Sequence, residues 1–408
     1  MPEDQLSRSE GQGQHKTWVE IDVAALRTNL RCVREVIGPH REIVLVVKSD
    51  AYGHGAVTVA AVAAEAGVRH FAVVTIDEAV ALRRAGVESE ILLLHPPLDY
   101  EIPAAIQWHL TPTISDENTA GHLNRLAGHK PLPVHIEINT GLNRLGLDWR
   151  SAVETVSRIA ALPHLRVTGI FTHFRAAYSE GAESVRRQMG RFQTVCEGLT
   201  ARGIDVGFRH VASSLAVVFH PDTCLDGIRP GMIVYGGMSI PDSAPNGNGG
   251  ETPPRALAGI RPVMAVRTRI LHVLAVTTGE WVHYGETYQA SRPMRVAVLP
   301  IGYGMGYPRH LSNNGEVLIC GQRAPIVGVI GMDMTIVDIG SLAVSVGDVA
   351  TVVGQDGAEE ITVIELAKRA GTIPYEITCR LGNALQRVVT GTGAGEPGRR
   401  PVRRAAVP

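Results

Sequence analysis

From residue 43 onward, short apolar runs alternate with stretches of helical periodicity. Eight runs read as candidate parallel strands, the first three continuously apolar: IVLVV (43–47), FAVV (71–74), ILLL (91–94), LTPTI (110–114), VHIEI (134–138), VTGIF (167–171), FRHVA (208–212) and DGIRPG (226–231). Several segments between them read as amphipathic helices. DEAVALRRAG (77–86) gathers Ala79, Leu82 and Ala85 on one side, and SAVETVSRIAAL (151–162) opens with Ser151 and Glu154 at capping-box spacing. Upstream, WVEID leads into a helical pattern with Asp22 as candidate N-cap and Leu26, Leu30 and Val33 recurring. Eight strand–helix repeats over ~200 residues are the count of a (β/α)8 barrel. An open doubly wound sheet is the alternative, but no G-x-G-x-x-G follows an early strand to support it.

The pattern changes after PDSAPNGNGGETPPR (241–255), a Pro/Gly/Asn-rich linker. Short strands split by Gly and Asn turns follow, and ITVIELAKRAG (361–371) is the one clear helix among them. The expected fold class is therefore α/β: an N-terminal (β/α)8 TIM barrel at 17–240, then a mostly β C-terminal domain at 256–391. The run at 17–21 is free to pair with that second domain. Residues 1–16 and 392–408 read as disordered tails.

Composition narrows the class. With 45% hydrophobic and 19% charged residues in 408, the chain can bury a large core. A net charge of −1 gives no footing for nucleic acid or a membrane surface, and the basic GRRPVRR near the C-terminus reads as a solvated end. Five widely spaced cysteines without a C-x-x-C exclude a disulfide framework or a zinc site, and no metal is expected. The polar N-terminus has no apolar signal core and no run is long enough to span a bilayer, so the expectation is a soluble cytoplasmic protein.

In such a barrel the residues just past each strand form the active site. Here they are Lys48, Thr75, His95, Glu137 with Asn139 and Arg144, Thr172 with His173, Ser213 with Ser214, and Arg229 followed by Gly231. Each has a plain alternative: a lysine meeting water, a core histidine, a structural arginine. A lysine partly withdrawn from water, however, has a lowered pKa and an available neutral amine, as imine formation with a carbonyl or with pyridoxal phosphate (PLP) requires. Ser214, Gly231 and nearby backbone N–H groups lie where such barrels hold phosphate. The combination favours an enzyme using a lysine–carbonyl adduct.

VVKSDAYGHG, NTGLNRLG, THF, ASS, IRPGMIVYG, HYGETY, PIGYGMGYPR, GVIGMDMTIVD and PYEITCRLG are similar, in order and spacing, to the motifs of PLP-dependent alanine racemases. The resemblance spans about residues 18–391. It implies a homodimer with shared active sites, in which Lys48 binds PLP and acts as base on one face of Cα while Tyr284, from the opposite subunit, acts on the other. It implies cofactor contacts from Tyr52, His173, Ser213, Ser214, Arg229, Gly231, Met232 and Tyr375. Substrate contacts fall to Arg144, Tyr303, Met332 and Asp333, and D-alanine for a cell wall is the implied product.

Five positions depart from the family pattern. Glu137 stands where many members have a carbamylated lysine, and is expected to hold Arg144 through a charge-assisted bond. Ser213 replaces Asn, Gly331 replaces Cys, and Met305 and Tyr178 replace acids expected toward the substrate entryway. These changes keep a serine or broad-specificity racemase open beside alanine. A related PLP decarboxylase, a non-catalytic PLP-binding protein and a barrel turned interaction protein are further alternatives; Tyr284 and the β domain argue against the first two.

Overall fold

Eight parallel strands close on themselves in the first half of the chain, in the computed structural model of residues 15–128, 130–178, 181–238 and 254–392. The expected linker at 241–255 and both tails lie almost entirely outside these described residues. The strand β1 (Thr17–Asp22) precedes the barrel. The barrel strands are β2 (Glu42–Val46), β3 (His70–Val73), β4 (Glu90–Leu93), β5 (Thr111–Ile114), β6 (Leu132–Asn139), β8 (Leu165–Phe171), β9 (Phe208–Ser213) and β10 (Gly227–Arg229), with the two-residue β7 (Leu147–Asp148) flanking β6. β10 pairs with β2 and closes the ring. All eight runs picked out are barrel strands; the first three stand out as continuous apolar runs because both their faces are buried, whereas β6, β9 and β10 carry buried polar residues inward.

The second half folds into a seven-stranded sheet ordered β15-β14-β17-β11-β1-β19, with β18 on β17, and a three-stranded sheet β12-β13-β16. The ranges are β11 (Met264–Arg269), β12 (His272–Val276), β13 (Met294–Leu299), β14 (Glu316–Ile319), β15 (Gln322–Pro325), β16 (Thr335–Asp338), β17 (Val349–Asp356), β18 (Glu359–Ile361) and β19 (Gln386–Thr390). β1 lies in this sheet, antiparallel to β11 and parallel to β19, so the start of the chain is held by its end. No helix among the described residues is long and apolar enough to cross a membrane.

Local chemistry explains several helix starts. Asp22 Oδ1 accepts from the N–H groups of Ala24 and Ala25 at 2.9 and 3.0 Å and caps the helix Val23–Ile37. The expected capping box at Ser151 does not form: Ser151 makes no cap bond to the helix Ala152–Ala160, and Glu154 instead pairs with Arg202 at 2.7 Å. A capping box forms at Thr75 and Glu78, where Glu78 N–H donates to Thr75 Oγ1 and Thr75 N–H to Glu78 Oε2. Thr75 is thus a cap rather than a group free to face the barrel mouth. PYEITCRLG also proves helical, over Pro374–Ala384, so Val363–Ala370 is not the only helix of the second domain. Pro374 in its first turn and Ile377 and Leu381 on its buried face are the signals that mark it.

This last helix packs directly on the turn that follows β2. Gly53, at φ 84°, lies so close that an added Cβ would sit 2.3 Å from Thr378 O, and a Cβ on Gly382 would sit 2.1 Å from Gly53 O. From β19, Arg387 pairs with the Asp50 carboxylate and donates to Gly53 O at 3.4 Å. The two domains therefore meet at the turn that carries Lys48. Gly53→Ala combines an unfavourable φ with a backbone clash and should destabilise the protein by about 2–4 kcal/mol, read as a lowered urea midpoint. An unchanged midpoint would contradict this packing.

Candidate functional site

Lys48 emerges one residue after β2, and the backbone behind it does something a strand-to-helix turn rarely does. Ser49, Asp50, Ala51 and Tyr52 all adopt left-handed conformations, with φ between 51° and 54°. None is glycine, so the turn is strained and must be held from outside. It is: Glu78 Oε1 accepts from Ser49 N–H at 2.5 Å, Asp50 Oδ1 accepts from Ala56 N–H at 2.6 Å, and Ala51 O sits 2.9 Å from His54 Nδ1. Lys48 is half-buried at the mouth. Desolvation, then the nearby Arg144 charge, holds its pKa below the usual lysine value.

The same turn carries Tyr52 across the mouth to Gly231. A Cβ on Gly231 would lie 2.9 Å from Tyr52 Oη, so only glycine leaves this approach open. Ser214 Oγ accepts from the Gly231 and Ile233 N–H groups at 2.9 and 3.4 Å and fixes the loop after β10. Tyr375 packs edge-on against Tyr52, ring centroids 5.8 Å apart, and Tyr235 tilts against its other side at 5.4 Å. Met232 is fully buried beneath this loop, and Ser213 ends β9. Two tyrosine hydroxyls, the Ser214 hydroxyl and the backbone at Gly231 thus gather at one place at the mouth, with donor chemistry that suits a phosphate.

Arg229 fills the floor between them, 5% exposed. Nη1 donates to His210 Nδ1 at 2.7 Å; Nη2 donates to Thr172 O at 2.7 Å and faces His173 Nδ1 at 3.4 Å. Its carbon lies 4.9 Å from the Phe171 ring centroid. Nε–H has no acceptor among the described residues. Burial lowers Arg229 to about 10, with Glu137 opposing, so it stays charged at neutral pH. Burial, then Arg229, drops His173 to about 3 and keeps it neutral. A desolvated lysine, a glycine-lined cradle and a buried guanidinium with one N–H to spare fit PLP's aldehyde, phosphate and ring nitrogen.

Glu137 is 3% exposed and accepts weakly from Ser115 Oγ at 3.5 Å. The expected bond to Arg144 is not made: no ion pair within 4 Å joins the two, and Arg144 is exposed. Burial raises the Glu137 pKa, Arg229 opposes that rise more strongly than Arg144 does, and so Glu137 answers first to Arg229. His95 is exposed and sits close enough to Lys48 to feel its charge.

The remaining expected residues lie elsewhere. Tyr284 sits on a short turn of the second domain, 72% exposed, with His283 edge-on at 4.5 Å. Tyr303 and Gly304 donate to the carbonyls of Gly331 and Met332 at 3.0 and 2.8 Å, bringing Tyr303, Met332 and Asp333 onto one exposed patch. Gly331 faces His283 closely: a Cβ there would lie 2.9 Å from His283 Cε1, so the histidine occupies the room that a larger residue would take. Tyr178 is 56% exposed near Tyr375, whereas Met305 is half-buried against the main core. Met305 therefore does not stand free toward an entryway.

Sequence reading missed His210, His135, Asp50 and Arg387. The alternation of β6 held a usable signal, since His135 and Glu137 are two apart and share the inward face.

Two family models match the chain: "Alanine racemase, N-terminal domain" over residues 21–239 and "Alanine racemase, C-terminal domain" over 263–389. The alanine racemase of Desulforamulus reducens is 39% identical over 379 residues, covering 92% of this chain and 99% of that one. The alanine racemase of Halothermothrix orenii is 36% identical, covering 91% and 96%. Among solved structures, alanine racemase from Streptomyces coelicolor A3(2) superposes with a TM-score of 0.84 at 33% identity, covering 93% of this chain and 99% of that one.

The buried rings carry a pH signature. His54 and His135 are lowered to about 4, His173 to about 3, and His210 well below its usual value, all chiefly by burial. A histidine with a folded pKa below its unfolded pKa takes up a proton on unfolding, so stability falls as pH drops below about 6.5. The urea midpoint should fall steadily between pH 7 and pH 5, each fully buried ring contributing up to about 1.4 kcal/mol per pH unit. A flat midpoint over that range would contradict neutral rings at the buried His54, His135 and His210 and the partly buried His173.

Proposed function

The chain belongs to the alanine racemase family, PLP-dependent amino-acid racemases, and from that premise we propose that it interconverts L- and D-alanine by a two-base mechanism. When bound, PLP supplies the carbonyl to which the substrate amine attaches and the electron sink that makes Cα–H acidic. Everything else falls to the chain. Tyr52, Ser214, Gly231 and Tyr375 would hold the phosphate, with Ser213 and the backbone at Met232 beside them. Arg229 would face the ring nitrogen. Its guanidinium does not surrender a proton, so that nitrogen stays unprotonated, and the weaker electron sink disfavours side reactions.

Lys48 Nζ, with its lowered pKa, takes or returns a proton at Cα on one face. The second base is Tyr284 of the partner subunit. The observation that carries this reading is the exposure of Tyr284, 72% in its own chain, on a turn whose His283 packs beside Gly331, next to the exposed Met332 and Asp333. An exposed aromatic–methionine patch of this kind favours burial against a second copy, and two-fold symmetry then supplies two shared sites. Arg144, Met332 and Asp333 would meet the substrate carboxylate. Tyr303 and Tyr375 narrow the pocket, and with Met305 turned into the core alanine remains the favoured substrate over serine. D-Alanine made in this way serves peptidoglycan in the cytoplasm.

Lys48→Ala should abolish the visible absorbance of the protein-bound cofactor, and a retained band would mean that another amine holds PLP. Tyr284→Phe should keep the band. Deuterium wash-in at Cα from D2O should slow ~10²–10⁴-fold for one alanine enantiomer and little for the other. Equal slowing of both would overturn the assignment of one base to each face.

A further inference from the structure

A row of polar side chains crosses the otherwise apolar barrel, from its mouth to the opposite end. Arg229 Nη1 meets His210 Nδ1 at 2.7 Å, His210 Nε2 meets His135 Nδ1 at 3.0 Å, and His135 Nε2 faces Glu90 Oε1 at 3.6 Å. Glu90 opens β4, so it stands at the barrel end remote from Lys48. It also accepts from Thr111 Oγ1 and faces His70 Nδ1, each at 3.0 Å. His210 and His135 are 0% and 4% exposed, so water does not compete between the two rings, while Glu90 is partly exposed at the end of the row.

One chemical fact orients the whole row. A guanidinium only donates, so His210 Nδ1 must accept. A neutral His210 then carries its proton on Nε2 and gives that hydrogen bond to His135 Nδ1. His135 in turn carries its proton on Nε2, aimed at the Glu90 carboxylate. Any other tautomer of either ring sets two N–H groups or two lone pairs face to face in a dry interior. The charges agree with this order. Burial keeps both rings neutral, while burial of Glu90 is offset by its hydrogen bonds from His70 and Thr111, which keep its carboxyl below the usual carboxylate range. The row thus runs from a cation through two polarised neutral rings to an anion. Glu137, Arg144 and His173 are the other charged or titratable groups acting on Arg229, and no hydrogen bond or ion pair joins any of them to His210 or His135 among the described residues.

We propose that Glu90 is a positioning residue for the racemase site: through His135 and His210 it fixes the acceptor nitrogen that anchors Arg229, and so sets how Arg229 presents its remaining N–H to the mouth. The proposal rests on the reading that Arg229 faces the PLP ring nitrogen. A merely structural Glu90 would brace the barrel floor without any effect transmitted to His210.

The test is histidine ¹⁵N NMR on the cofactor-loaded protein, joined to absorbance and kinetics. In the wild type, His135 and His210 should each show a single tautomer protonated at Nε2, unchanged from pH 6 to pH 9. Glu90→Gln should shift the ring resonances of His210, two side chains away, and move the absorbance maximum of bound PLP. It should also lower kcat about tenfold with KM within about twofold. A wild-type His210 protonated at Nδ1, or a mixture of tautomers, overturns the proposal without need of any variant. So does a folded Glu90→Gln protein whose His210 resonances and absorbance match the wild type. If the wild type shows no PLP band, the reading of Arg229 fails, while the NMR still decides the row by itself.

Discussion

Four consecutive left-handed residues behind Lys48 are the constraint on which the site depends. Each costs roughly 1 kcal/mol or more relative to ordinary backbone, because none is glycine. The turn nonetheless does two things a right-handed turn would not: it leaves Lys48 at the mouth and returns Tyr52 across the barrel toward Gly231. The strain persists because surrounding groups over-determine it, with Glu78 on one side, Ala56 N–H on Asp50, and Arg387 reaching from the last strand. The second domain is therefore not an appendage. Its helix Pro374–Ala384 and its strand β19 hold the turn in place, and β19 is itself zipped to β1 at the start of the chain.

The second constraint is a buried cation. Arg229 has lost nearly all contact with water, and its charge is tolerated because backbone carbonyls, an aromatic face and a nearby carboxylate surround it. The residues that serve it are what make this barrel interior unlike an ordinary one. His135 and His210 sit where branched aliphatic side chains usually fill the layers. A fixed cation at that depth is also what a cofactor ring nitrogen would meet, so packing and chemistry draw on the same residue.

Legibility followed physics rather than importance. The first three barrel strands stood out because burial on both faces makes each a continuous apolar run, the others followed from their regular alternation with helical stretches, and the observed bounds differ from the expected runs by only a few residues. Lys48, Ser214, Arg229 and Gly231 were readable because strand ends point to the mouth. The left-handed turn was hidden, since KSDAY carries no glycine and the strain is imposed by partners distant in sequence. The cap at Ser151 was wrongly expected because Glu154 had a better partner in Arg202. Family resemblance tied Glu137 to Arg144, whereas in the fold the charge of Arg229 acts on it more strongly. Tyr284 had no local signal at all; only family resemblance singled it out, and its exposure is what a group completing another chain's site would have.

That sharing is the central claim, and a mixed dimer tests it most directly. A heterodimer of one Lys48→Ala protomer and one Tyr284→Phe protomer has one composite site with both bases and one with neither. If each site takes its lysine and its tyrosine from different chains, the purified heterodimer should recover about half of wild-type activity, although both parent homodimers are nearly inactive. A heterodimer no more active than its parents would contradict the account.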